Sequence, residues 1–173
     1  MSNIVSIVFV VGCFVLLSDA CFSSGGSSSS GSGSTSSSKG AAIARTADSH
    51  VGSTKWSYAS SHRTGRNTNK CNIFVAEVIE QAGATVPHRH FYSWSPIGAG
   101  EWGNPSSSYL TGSSCWSRVT SPRNGDVAGD GVHVAIVTGS SKTTSATSSA
   151  VVKNDWGFDP PSRVANVFWR YTC

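Results

Sequence analysis

The sequence predicts a small α+β domain, and three observations carry that expectation. One stretch in the middle of the chain has helical periodicity. Short β-like runs separated by Gly, Asn and Asp turns follow it. Charged residues are only 13% of the chain, whereas Ser, Thr, Gly and aromatic residues are plentiful, which suits a small secreted enzyme or binding module.

Two changes of composition precede the domain. Residues 1–20 hold an apolar stretch, Ile4 to Leu17, that ends in Ser18-Asp19-Ala20, the pattern of a secretory signal peptide, although no Lys or Arg precedes it. It is too short, and its flank too poor in basic residues, for a spanning helix. Residues 21–40 are nearly all Ser and Gly and predict a flexible linker. Residues 41–173 then form one domain, a common size for a single core. Cleavage after Ala20 removes Asp19 and raises the formal net charge from +4 to +5. The basic residues are scattered, which suits an anionic surface such as a bacterial wall and excludes the basic stripe of a nucleic-acid reader.

The helical stretch starts at Cys71. Phe74, Val75, Val78, Ile79 and Ala82 fall on one face, Asn67, Thr68 and Asn69 offer capping side chains, and Gly83 is a stop signal. Unsatisfied N–H groups and the macrodipole at that end favour a thiolate at Cys71 and would stabilise an oxyanion, and Lys70 adds a positive neighbour.

Downstream, Asn124-Gly125-Asp126 and Asp130-Gly131 are turn signals. Between them and the next turn, Val132 to Val137 predicts a strand with Val132, Val134 and Ile136 toward the core and His133, Ala135 and Val137 on a more open face. A lone strand histidine is ordinarily structural. With a helix-start cysteine upstream, it matches how thiol hydrolases present nucleophile and base. The run Ser149 to Trp156 predicts the next strand and ends in Asn154 and Asp155. Either would orient the other ring nitrogen of His133, and alternation allows only one of them to do so; Asn154 is preferred. Val164 to Tyr171 predicts a last, half-buried strand. Trp56, Tyr58 and Trp102, in polar loops, are candidates for a substrate groove with Lys70 and Asn72.

Cys13 leaves with the signal, so Cys21, Cys71, Cys115 and Cys173 stay in the mature chain. If Cys71 is a free nucleophile, one pair closes among the other three. Cys115 with Cys173 would tie the middle loop to the last residues, and Cys21 could instead reach either one or pair between chains. No Cys-x-x-Cys occurs and the histidines do not fall at ligand spacing with cysteine, so no metal site is expected.

Several blocks together resemble a known family. They are Trp56-Ser57-Tyr58, Lys70-Cys71-Asn72-Ile73-Phe74-Val75, Gly83-Ala84 with Pro87, Ala99-Gly100-Glu101-Trp102, Gly125-Asp126-Val127, His133 to Val137, and Asn154-Asp155-Trp156-Gly157-Phe158. They resemble NlpC/P60-type peptidoglycan amidases, nearest to type VI secretion amidase effectors of the second family and their domesticated, animal-secreted descendants. The resemblance implies a papain-like fold, with N-terminal helices packed on a small antiparallel sheet or half-barrel. It implies Cys71 as nucleophile, His133 as base and the peptide cross-links of bacterial peptidoglycan, such as D-Ala–diaminopimelate, as substrate. No cofactor, nucleic acid or membrane partner is implied, and the expected form is a secreted, extracellular, antibacterial monomer. Two other readings stay open: a non-catalytic wall-binding module with Cys71 in a disulfide, and a CHAP-type amidase cutting the sugar–peptide bond.

Overall fold

The computed structural model describes residues 32–155 and 164–173. Its elements run α1 (Ser32–Asp48), α2 (Cys71–Gln81), α3 (Ala99–Trp102), α4 (Ser108–Thr111), β1 (Trp116–Val119), β2 (Val127–Gly129), β3 (Val134–Gly139), β4 (Lys142–Ala146), β5 (Val151–Asp155) and β6 (Val167–Tyr171). This is an α+β architecture. Six strands form one antiparallel sheet in the order β1-β6-β2-β3-β4-β5. The predicted signal peptide and Trp156-Gly157-Phe158 lie outside the described residues. No helix among the described residues is long and apolar enough to cross a membrane.

The linker expectation for residues 21–40 needs correction at its end, because residues 32–40 form the first half of α1. Two residues of that segment are tied to the domain. Lys39 Nζ donates to the carbonyls of Ala82 (3.3 Å) and Gly83 (3.1 Å), placing a cation on the carbonyl end of α2. Gly40 packs against the 124–125 turn so closely that a Cβ on Gly125 would come within 2.1 Å of the Gly40 carbonyl oxygen. Composition alone cannot register a glycine that is chosen for close backbone approach.

α2 ends as expected, with Gly83 at φ +72° and the Ala84 N–H bonded back to Ile79. It is more deeply set than one apolar face implies. Eight of its eleven residues are buried, and Phe74 and Ile79 share a core with Ile43 and Ala47 of α1 and with Val134 and Ile136 of β3. The loop between α1 and α2 covers another side of it. There Glu77, itself buried, accepts hydrogen bonds from Lys55 Nζ, Arg63 Nε, His62 Nε2 and Trp56 Nε1 at 2.8–3.1 Å.

The central strands β2, β3 and β4 are buried on both faces. Ala128, Val137 and Ala165 form a second cluster with Phe168 against them, so the face expected to be open is closed from Ala135 onward. Val132, expected in the core, is 68% exposed, because β3 starts only at Val134. β6 alternates as predicted, with Val167, Trp169 and Tyr171 inward. The stretch from Ser140 to Ser149 contains β4. Its Thr143, Thr144 and Ser145 are buried, and Thr144 Oγ1 donates to Asp48 at 2.6 Å. Gly52 and Ser53 exchange backbone hydrogen bonds with Val151 and so cover part of edge strand β5. Cys115 and Cys173 are joined in a disulfide, and Cys71 is the free cysteine among the described residues.

Candidate active site

Cys71 is the first residue of α2, and Lys70 takes the cap position without a side-chain cap. Of the expected caps, Thr68 is engaged elsewhere, its Oγ1 donating to the Gly65 carbonyl at 2.8 Å. The opening N–H groups of α2 therefore stay available to the sulfur. Backbone hydrogen bonds from Val134, Asn72 and Cys71 itself reach it. Burial nonetheless dominates, pushing the Cys71 thiol above its ordinary range, and the charge of Asp130 adds to that. At this helix end desolvation thus opposes the thiolate that the sequence predicts.

His133 sits on the turn that leads into β3. Asp130 Oδ1 accepts the N–H groups of Val132 (2.8 Å) and His133 (2.6 Å), and Gly131 supplies a φ of +91°. The end of α3 presses on this turn. A Cβ at Gly103 would stand 1.9 Å from the Gly131 nitrogen, which only a glycine avoids. The histidine is thus placed by a turn that is braced on both sides.

One cavity of about 330 Å³ brings the parts together. Cys71, His133 and Asn154 line it, along with Asn69, Lys70, Val132 and the β4 to β5 segment Ser145 to Ser148. Asn154 Oδ1 is buried there without a hydrogen-bond partner, an acceptor in want of a donor. Asp155, its neighbour on β5, is exposed and outside the lining.

The other sequence candidates divide. Lys70 lines the cavity, but its ammonium is buried and donates to the Ser57 carbonyl and to the carbonyl and hydroxyl of Thr68 at 3.1–3.3 Å; desolvation lowers its pKa. Trp56 and Trp102 are core residues at 1% and 0% exposure, so they are corrected from substrate contacts to packing. Trp102 meets Trp116 edge-on, and Trp56 meets Phe74 in the same way. Tyr58 contributes through its backbone: its N–H donates to the Ser148 carbonyl at 2.8 Å and holds one cavity wall. Asn72 faces a second groove, of about 430 Å³, with its amide 3.4 Å from the Ile97 carbonyl.

Sequence reasoning missed Ser145, because a polar buried strand has no apolar alternation to reveal it, and Thr147 and Ser148, which lie in the turn after that strand. The Asp130-Gly131 turn signal was visible, but its role as the brace of His133 was not. Among the described residues no cluster of three or more His, Cys, Asp or Glu is arranged to hold a metal ion. No family model, no curated protein and no solved structure matches this chain.

Proposed function

We propose that this protein is a secreted cysteine hydrolase of bacterial peptidoglycan with a papain-like arrangement of its site. The observation that carries the reading is the shared cavity: a free cysteine at a helix start, a histidine and an unpartnered asparagine acceptor line the same space. The wall polymer as substrate rests on the sequence resemblance, and secretion on the leader-like segment together with the Cys115–Cys173 disulfide.

In this reading His133 takes the proton from Cys71 as the sulfur attacks an amide carbonyl of the stem peptide or its cross-link. Burial raises the thiol, so the reading gives His133 the task of taking its proton. The N–H groups at the start of α2 stabilise the oxyanion. The amine leaves with the proton from His133, and water then hydrolyses the thioester. Asn154 Oδ1, unpartnered in the structure, is the acceptor assigned here to the other imidazole N–H once the ring turns toward it as the base acts.

Product masses from purified sacculi test it. Cross-link cleavage leaves a new D-Ala carboxyl and a free amine on the diamino acid. A CHAP-type amidase instead separates intact stem peptide from glycan. A non-catalytic module releases nothing, and that outcome would overturn the proposal.

A further inference from the structure

The cavity at Cys71 offers its ligand amides and hydroxyls, with the one lysine ammonium there already bound to carbonyls. Cations that are each ion-paired through one guanidinium nitrogen line the groove next door. The second groove is lined by Arg63, Arg89, His90 and Trp94, and by Asn72, the residue that follows Cys71. No carboxylate lines it. Three carboxylates instead stand behind it, each holding one lining side chain. Glu77 accepts from Arg63 Nε at 2.9 Å, Glu80 from Trp94 Nε1 at 3.0 Å, and Glu101 from Arg89 at 3.1 Å. The guanidinium carbon of Arg63 also lies 4.2 Å from the Trp94 ring centroid, which limits its freedom further.

We infer that this groove reads a free carboxylate on the substrate, on the segment of stem peptide that crosses the first turn of α2. The inference rests on the hydrolase reading of Cys71 and adds what the protein selects. Asn72 follows Cys71 directly in the chain, so the two sites flank the first turn of α2. Guanidinium groups fixed from behind favour a carboxylate over its neutral carboxamide, by charge-assisted hydrogen bonds that the amide cannot accept equally. The groove therefore discriminates between acidic and amidated stem peptides.

The test is a matched pair of cross-linked muropeptides that differ only in a stem carboxylate or its carboxamide, with kcat/KM measured for each. The wild type is expected to favour the acid by about tenfold or more. Arg89→Gln, and independently His90→Gln, should bring that ratio toward one through loss on the acid, whereas Arg118→Gln, exposed on β1, should keep it. Equal turnover of the pair by the wild type would overturn the inference and leave the hydrolase reading intact. A preference that survives in both groove variants would overturn it as well. Turnover of neither substrate would instead sink the hydrolase reading, and with it the subsite.

Discussion

Glu77→Gln is the substitution that most directly probes how the site is held. Burial alone would raise this carboxyl, but hydrogen bonds from Lys55, Arg63 and His62 outweigh it and hold it at about 2, against an ordinary 4.5. That difference corresponds to about 3 kcal/mol of folding stability at neutral pH. Lys55 and Arg63 are nearly half exposed, and screening reduces the figure to about 2 kcal/mol. The carboxyl is depressed in the fold, so its contribution is full above the unfolded value of about 4.3 and is lost as pH falls through about 2. Urea unfolding of wild type and variant between pH 7 and pH 2 measures it. The variant should be less stable by about 2 kcal/mol at pH 7, with the gap narrowing below about pH 4.5 and falling under about 1 kcal/mol near pH 2. A gap independent of pH, or below about 0.5 kcal/mol at pH 7, would refute the role of Glu77 in tying the 55–63 loop to α2.

Three further outcomes are expected. Gly103→Ala forces the end of α3 away from the Asp130–His133 turn; it should cost about 1–3 kcal/mol by denaturant unfolding and lower kcat, and a variant with native stability and activity would show that the brace is unnecessary. Asn154→Ala should lower kcat by roughly tenfold or more, with Asp155→Asn within about twofold, and the reverse order would exchange their roles. Reducing Cys115–Cys173 should remove about 2–4 kcal/mol, seen as a lower urea midpoint with reductant, and an unchanged midpoint would argue against that crosslink as a stabiliser.

What was legible in the sequence followed from periodicity and turn chemistry. The start of α2 at Cys71, its stop at Gly83, the alternation of β6 and the availability of Cys115 and Cys173 for pairing all have local signatures. So does the presence of Cys71, His133 and Asn154 at element ends, where side chains converge on a cavity. Local signatures failed where tertiary contact sets the environment. Ser and Gly at 32–40 read as a tether, yet Lys39 caps α2 and Gly40 lets the 124–125 turn approach. Trp56 and Trp102 look like groove residues because their neighbours are polar, but the core takes both rings. The thiolate expectation meets a related obstacle: a helix end can be read from sequence, whereas the desolvation that opposes it depends on what covers the cysteine.

The central claim is that Cys71 performs the chemistry. Its most direct test is the rate of muropeptide release from purified sacculi by the full chain and by Cys71→Ala, with folding of both verified by denaturant midpoint. Release by the wild type and none above background by Cys71→Ala is the expected result. Equal release by the two proteins would contradict catalysis by Cys71.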